Sequence, residues 1–281
     1  MVSAAISSFI RAAVCGAWLV SAAAVAGEGP RLQTAPINSH DLVSLQNGAK
    51  LFVNYCLNCH TAGFMRYNRL QDLGLTEAQI KDNLIFTGVK VGELMQVAMD
   101  RKDAKEWFGV APPDLTVTAR SRSSSAGSGA DWIYSYLRSF YRDPSRPTGW
   151  NNLVFANVGM PHVLWPLSGQ ARLHEEVFAS EHAASAALIA TKGVAQLEAA
   201  QETKDGKTST RFVLKTLTPA TGALSQVAYD RAVADLVNYM TYMAEPARLE
   251  RRKVGFYVLM LLGVLLLLVF ALKKSYWKNI H

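Results

Sequence analysis

Residues 55–60 read Tyr-Cys-Leu-Asn-Cys-His, "YCLNCH". Two cysteines separated by two residues are typical of structural zinc sites, thiol–disulfide redox pairs and covalent haem attachment. A zinc site needs four ligands, and the sequence has no second Cys-x-x-Cys pair. A redox pair is usually found near a βαβ pattern, which is missing here, and needs no adjacent histidine. The motif therefore favours a c-type haem.

The spacing of the motif fits the chemistry of that group. Cys56 and Cys59 would form thioether bonds to the two vinyl groups, because a two-residue spacer lets both sulfurs face one porphyrin edge. His60 follows directly and would bring its imidazole under the iron as the proximal ligand. We expect one covalently bound haem c at these three residues.

The N-terminal segment has the pattern of a secretory signal peptide. A single positive charge at Arg11 precedes a short apolar stretch that ends in the small-residue site Ala24-Val25-Ala26. We expect cleavage after Ala26, so that residues 1–26 are lost together with Cys15. The alternative is an uncleaved N-terminal anchor. Covalent haem attachment agrees with export, since it needs exported and reduced cysteines.

The C-terminal region has the pattern of a membrane anchor. Residues 254–272 contain no charged side chain, and a 19-residue helix would be about 28 Å long, close to the thickness of the hydrocarbon core. Basic residues flank both ends, so charge alone does not orient the helix. The signal peptide orients the helix, because it exports everything that precedes the anchor. We expect a haem domain at 27–247 in the periplasm, an anchor at 248–281 in a bacterial-type inner membrane, and a short cytoplasmic tail.

The net charge of +7 is concentrated in the anchor. Residues 27–247 contain 21 basic and 21 acidic side chains, whereas residues 248–281 contain seven basic side chains and one acidic one. The exported part therefore lacks the basic excess of a nucleic-acid-binding domain, and we expect no nucleic acid partner.

Two amphipathic helices frame the exported part. One is predicted over 44–55, leading into the cysteine motif, and the other over 229–246. A helix that enters Cys-x-x-Cys-His and a C-terminal helix packed across it form the framework of small c-type cytochromes. A third helix is predicted over 131–143, a surface insertion over 171–210, and a strand or hairpin over 210–222. The expected fold is mainly α, a c-type cytochrome domain with loop insertions and one C-terminal transmembrane helix.

Met160 is the best candidate for the sixth iron ligand. It lies in "FANVGMPHVLW", where Gly159 and Pro161 restrain an irregular backbone that can present a thioether inward. It follows His60 by 100 residues, which is enough chain to pass around the ring. The next candidate is His162. Other methionines lie on helical patterns or too close to His60: Met65, Met95, Met99, Met240 and Met243.

The sequence resembles the cytochrome c1 family, the haem subunits of quinol–cytochrome c reductase, the cytochrome bc complex. The resemblance runs from about Gln46 to His281 and is weakest over 171–210. The segments that show it are "GAKLFVNYCLNCHTAGFMRYNRL", "APPDLTVTARSR", "GADWIYSYLRSFY", "NVGMPHVLW" and "YMAEPARLERRKVG". Pro-Pro-Asp-Leu, Gly-Met-Pro and Met-Ala-Glu-Pro before a terminal anchor are more specific than the cysteine motif alone.

This resemblance implies further site residues. Pro113 and Leu115 would pack near the ring, and Arg122 would pair with a haem propionate, with Arg120 as a substitute. Trp132 stands where many members have a tyrosine, so a hydrogen bond from such a tyrosine is not expected.

The resemblance also implies partners and a role. Cytochrome b and the Rieske iron–sulfur protein would be partners in the membrane, and a soluble cytochrome c or equivalent carrier would accept the electron. The sequence shows no independent catalytic site, so the chain would act by electron transfer within an enzyme complex. Three alternatives stay open: a free-standing membrane-anchored cytochrome c, a tethered cytochrome subunit of a terminal oxidase, and a haem sensor.

Overall fold

The computed structural model describes residues 31–204 and 207–279. The predicted signal peptide, residues 1–26, lies outside the described residues, and so do the last two residues of the C-terminal tail.

The described elements follow one another along the chain as short helices and three small sheets. The α-helices are α1 (Leu42–Leu51), α2 (Glu77–Leu84), α3 (Arg101–Phe108), α4 (Thr118–Ser121), α5 (Gly129–Leu137), α6 (Trp165–Ser168), α7 (Glu181–Ala190), α8 (Gln226–Ala244) and α9 (Arg248–Tyr276). The strands are β1 (Ala62–Arg66), β2 (Leu94–Met95), β3 (Phe140–Arg142), β4 (Trp150–Asn152), β5 (Leu173–Phe178), β6 (Gln196–Lys204) and β7 (Lys207–Leu217). A π-helical turn (Phe52–Cys56) and 3-10 turns (Tyr67–Leu73 and Trp277–Asn279) complete them.

The two predicted framing helices are present as α1 and α8, and they cross in close contact. A Cβ atom on Gly48 would lie 2.0 Å from the backbone oxygen of Asp235, so only a glycine fits at the crossing point. Next to it, Phe52 packs against Tyr239 with 5.6 Å between the ring centroids. This crossing fixes the orientation of α1 and therefore the direction in which the chain enters the turn at Cys56.

Side-chain caps mark where the principal helices begin. Asp41 accepts a hydrogen bond from the backbone N–H of Ser44 at the start of α1, and Ser225 caps α8 in the same way. Ser128 and Asp131 form a reciprocal capping box at the start of α5. These caps satisfy backbone donors that the first helical turn leaves free.

The expected mainly α fold holds in part, because the described chain also contains a substantial share of strand. The surface insertion predicted over 171–210 contains strands β5 and β6 and helix α7, and both strands pair with β7 in an antiparallel sheet of order β5-β7-β6 on which α7 packs. Leu173 pairs with Leu217 across a long sequence separation, and such a pairing leaves no local signal. The strand or hairpin expected at 210–222 corresponds to part of β7.

The helix predicted over 131–143 ends earlier than expected, at Leu137. The backbone N–H of Ser139 donates to the carbonyl oxygen of Tyr136 at 3.2 Å, a tight three-residue bond at the helix end. The following residues then form β3, which pairs with β4.

Helix α9 is a candidate membrane span. Residues 253–276 form a 24-residue segment with a mean hydropathy of 2.8, and its most apolar window is not buried against the rest of the described chain. A long apolar helix with no polar face favours a lipid environment over a protein core.

Candidate haem-binding site

An apolar cavity of about 370 Å³ opens beside the cysteine turn. Eight of the nine site residues predicted from the sequence line it: Cys56, Cys59, His60, Pro113, Leu115, Arg122, Trp132 and Met160. Arg120 is the exception, because it is exposed and does not line the cavity. Residues from segments more than 100 positions apart therefore converge on one space.

The cysteine motif reaches the cavity through a tight turn. The π-helical turn ends at Cys56, whose carbonyl oxygen then accepts hydrogen bonds from the backbone N–H groups of Cys59, at 3.1 Å, and His60, at 2.9 Å. Both cysteines are free thiols, and both line the cavity. This turn places the two sulfurs and the imidazole on the same stretch of wall.

The imidazole of His60 is oriented by a backbone carbonyl. Its Nδ1 donates to the oxygen of Pro113 at 2.7 Å, which leaves Nε2 as the nitrogen available to a metal. The segment that supplies this carbonyl is tied to the residue after the motif, since the N–H of Leu115 donates to the oxygen of Thr61 at 2.9 Å.

Asp114 joins the same two segments and was not singled out from the sequence. Its carboxylate accepts from the N–H of Gly63 at 2.6 Å, the hydroxyl of Thr61 at 2.9 Å and the N–H of Thr116 at 2.8 Å. Its place inside Pro-Pro-Asp-Leu was the available signal, because a carboxylate in an irregular segment commonly organises backbone donors.

Burial controls the protonation of the groups that face the cavity. Desolvation, aided by the proximity of Cys59, raises the pKa of Cys56 to about 12, and burial also raises the pKa of Cys59. Burial lowers the pKa of His60, against smaller opposing effects of the Pro113 hydrogen bond and the Asp114 charge. The polypeptide alone therefore presents protonated thiols and favours a neutral imidazole at neutral pH.

Met160 lines the cavity from an irregular segment, while its role as the sixth ligand stays a prediction. The hydroxyl of Tyr136 donates to its sulfur at 3.4 Å. Tyr136 also lines the cavity, and sequence reasoning did not single it out. Its position within the aromatic stretch of α5 gave no indication of which ring would face the sulfur.

Arg122 and Trp132 form one edge of the cavity. The guanidinium lies 4.6 Å from the Trp132 ring centroid and 5.9 Å from that of Phe155. Trp132 in turn stacks on Tyr136, with 4.8 Å between centroids. A cation held by stacking keeps its hydrogen-bond donors available for an anionic group, such as a propionate.

His162, the second candidate for the sixth ligand, does not line the cavity. Its side chain is buried, stacks on Phe140 at 4.8 Å, and places Nε2 at 2.8 Å from the hydroxyl of Ser168. Burial lowers its pKa to about 4, so the ring is neutral at physiological pH. His162 therefore packs in the core beside the site.

Met240 does line the cavity, although its place on the apolar stripe of the last helix led to the expectation that it only packs in the core. It is 3% exposed and lies on α8. Sequence periodicity places a residue on a helix face but does not show which part of that face meets a cavity. Met240 replaces His162 as the alternative to Met160.

The residues present fit a covalently held haem. Two free thiols, one oriented imidazole and a thioether surround an apolar space, and Arg122 supplies a positive charge at its edge. Thiols, imidazole and thioether are the donor groups by which proteins hold a haem c and its iron.

Comparison with known proteins agrees with this chemistry. The model of the cytochrome C1 family matches residues 33–107 and 222–280. The chain is 44% identical over 255 residues to a Nitrosomonas europaea protein named ammonia monooxygenase gamma subunit, and this similarity covers 91% of each chain. It is 43% identical over 256 residues to cytochrome c1 of Allochromatium vinosum, covering 91% of this chain and 92% of the relative.

A more distant relative is cytochrome c1 of Rhodospirillum rubrum, at 26% identity over 86% of this chain and 83% of its own. The family model does not match residues 108–221, which include the β5–β7 sheet and Met160, whereas the relatives from N. europaea and A. vinosum align over nearly the whole length. The chain belongs to the cytochrome c1 family, whose members are membrane-anchored electron-transfer subunits of the cytochrome bc complex and have one covalently bound haem c.

Proposed function

We propose that this chain is the haem c subunit of a quinol–cytochrome c reductase, in which it takes an electron from a Rieske iron–sulfur protein and passes it to a soluble cytochrome c. Cys56 and Cys59 would hold the haem through thioether bonds, and His60 and Met160 would bind its iron. Arg122 pairs with a propionate, while Pro113, Leu115 and Trp132 pack around the ring. Arg120 is exposed outside the cavity, so it has no assigned role in this proposal.

One observation supports this assignment most strongly. The hydrogen bond from His60 to Pro113 leaves Nε2 free beside two unpaired thiols, in the same cavity as the Met160 sulfur. When bound, the haem supplies a one-electron Fe(III)/Fe(II) couple. The apolar wall excludes water, and a thioether ligand favours the ferrous state, which raises the potential relative to two histidine ligands.

The proposed topology places residues 27–247 in the periplasm and the tail after α9 in the cytoplasm, with cytochrome b beside the anchor in the membrane. A truncation that ends at residue 247 tests this arrangement. We expect the truncated chain to appear in the periplasmic fraction with its haem attached. Retention in the membrane after a carbonate wash would mean that a second anchor exists, for example an uncleaved N-terminal segment.

A second candidate comes from the name of the N. europaea relative. Its identity to this chain, 44%, is close to the 43% of the A. vinosum cytochrome c1, so a role beside an ammonia monooxygenase is the second candidate, although the family model favours the first. Among the alternatives, a free-standing anchored cytochrome or an oxidase subunit would need neither set of partners. The Cys-x-x-Cys-His site would serve one-electron transfer in each case.

Purification of the full chain in mild detergent separates these candidates. The proposed function predicts co-elution with a b-type cytochrome and a Rieske protein, and quinol-dependent reduction of added soluble cytochrome c. Co-elution with monooxygenase subunits instead would favour the second candidate. Isolation as a single haem protein would contradict both and favour a free-standing carrier.

A further inference from the structure

The segment that presents Met160 starts from two buried asparagines. Asn151 and Asn152 end strand β4, and they are 7% and 1% exposed. The chain then continues without regular structure from Leu153 to Met160. Buried amides are costly unless their hydrogen bonds are made, so side chains of this kind at the start of an irregular segment indicate a specific structural task.

Asn152 connects this segment to helix α5. Its side-chain oxygen accepts from the N–H groups of Val154, at 2.9 Å, and Phe155, at 3.1 Å, and from the hydroxyl of Ser139 at 2.9 Å. Its amide nitrogen donates to the carbonyl oxygen of Tyr136 at 2.8 Å. One side chain therefore sets the distance between the irregular segment and the turn of α5 that contains Tyr136.

Asn151 and Asn157 hold the middle of the segment. The side-chain oxygen of Asn151 accepts from the N–H of Asn157 at 2.8 Å, and its amide donates to Asp143 at 2.9 Å. Asn157 has a φ of 60°, a conformation that asparagine tolerates better than most residues. Arg146 donates to both the side-chain oxygen and the carbonyl oxygen of Asn157, at 3.1 and 3.0 Å.

Two parts of this hydrogen-bond network act on the position of the Met160 sulfur. Asn152 donates to the carbonyl oxygen of Tyr136, and the hydroxyl of Tyr136 donates to the Met160 sulfur at 3.4 Å. Through Asn157, Asn151 fixes the backbone three residues before Met160. The three asparagines, 151, 152 and 157, form what we call the asparagine clamp.

We propose that the asparagine clamp is the positioning element for Met160, with Asn152 as its central residue. The inference rests on the proposed function, in which Met160 is an axial ligand. The clamp restricts where the thioether can lie, so that the sulfur stays within bonding reach of the iron in both oxidation states. Loss of the clamp lets the segment move and weakens the iron–sulfur bond without removing the sulfur.

The test uses the full membrane-anchored chain with its haem and compares three clamp variants. Asn152→Asp keeps the acceptor oxygen but replaces the donor that bonds Tyr136, and Asn152→Ser shortens the side chain. Asn157→Gly keeps the positive φ and leaves the buried amides untouched, but it removes the side-chain oxygen, one of the two acceptors that Arg146 uses. Asn83→Asp, on the exposed surface of α2, is the matched control.

Three properties report on the iron–sulfur bond independently of activity. They are the near-infrared band of ferric haem with a methionine ligand, the reduction potential, and binding of carbon monoxide to ferrous haem, which needs an axial position that opens. We expect the Asn152 variants to lose much of the band, titrate at a lower potential and bind carbon monoxide, with Asn157→Gly showing the same changes to a smaller extent. Asn83→Asp should match the parent in all three.

Folding is monitored separately by haem stain and far-ultraviolet circular dichroism. Variants that unfold at a lower temperature but keep the near-infrared band and reduction potential of the parent, and still do not bind carbon monoxide, would overturn the proposal. The clamp would then be only structural. If the Asn152 variants do not accumulate, the same unchanged properties in Asn157→Gly overturn it. Met160→Leu is measured alongside, and an unchanged band there would instead refute the ligand assignment of the proposed function.

Discussion

The Nδ1 atom of His60 and the carbonyl oxygen of Pro113 are 2.7 Å apart, although 53 residues separate them in the chain. A histidine that donates from Nδ1 can bind a metal only through Nε2, and the hydrogen bond increases its strength as a donor. The orientation of the histidine in the motif therefore depends on a segment far from the motif, and Asp114 attaches that segment to the residues after His60.

Replacement of Asp114 by asparagine should destabilise the fold. An amide can accept fewer hydrogen bonds than the carboxylate, which receives N–H groups from Gly63 and Thr116 and the hydroxyl of Thr61. We expect a loss of about 1–3 kcal/mol in the free energy of unfolding at neutral pH, measured by denaturant titration. Asp82→Asn on the exposed face of α2 is the control and should change it little.

The effect of Asp114 should also depend on pH. Burial acts to raise its pKa, but the hydrogen bonds from Thr116, Gly63 and Thr61 together outweigh burial and hold the pKa below its ordinary value. A carboxyl group of this kind stabilises the fold above the ordinary pKa of about 3.9, and the contribution is lost as the pH falls through the lowered value. The difference between parent and Asp114→Asn should shrink below about pH 4. A difference that is constant from pH 7 to pH 3 would contradict the assignment.

Replacement of Gly48 by alanine should loosen the helix crossing that directs the cysteine turn. The added Cβ would lie 2.0 Å from the oxygen of Asp235 and 2.6 Å from Cβ of Tyr239, so α1 and α8 would have to separate. Overpacking of this kind costs about 1–3 kcal/mol. Thermal unfolding measures it, with Gly92→Ala as control because nothing lies within 4 Å of that position. Equal melting temperatures for the two variants would refute the close crossing.

The cysteine pair predicts a graded loss of covalent haem. Cys56→Ser or Cys59→Ser leaves one thiol that lines the cavity, and the double variant leaves none. Haem staining of a denaturing gel should therefore show a reduced band for each single variant and no band for the double variant. An undiminished band from the double variant would show that the haem is not attached through this motif.

Local chemistry made the covalent motif, the framing helices and the anchor predictable from the sequence. Met160 could be singled out because a methionine between glycine and proline in irregular chain differs from one on a helical stripe. Asn152 and Tyr136 could not be singled out from the sequence, since their hydrogen bonds form only when α5 and β4 come together in the fold. The pairing of β5 with β7 was missed for a similar reason, because Leu173 and Leu217 pair across a long sequence separation, whereas part of β7 itself was expected as a strand or hairpin.

Met160 and Met240 both line the cavity, so the identity of the sixth ligand can be tested by exchanging each for leucine. Leucine is apolar and close in size, and such exchanges usually cost less than about 1.5 kcal/mol. Met160→Leu should keep covalent haem but lose the near-infrared band and titrate at a lower potential, because the thioether favours ferrous iron. If the proposed function holds, electron transfer from a Rieske cluster then becomes less favourable, and quinol–cytochrome c reductase activity should fall steeply. Met240→Leu should retain the band and potential, and the reverse pattern would make Met240 the ligand.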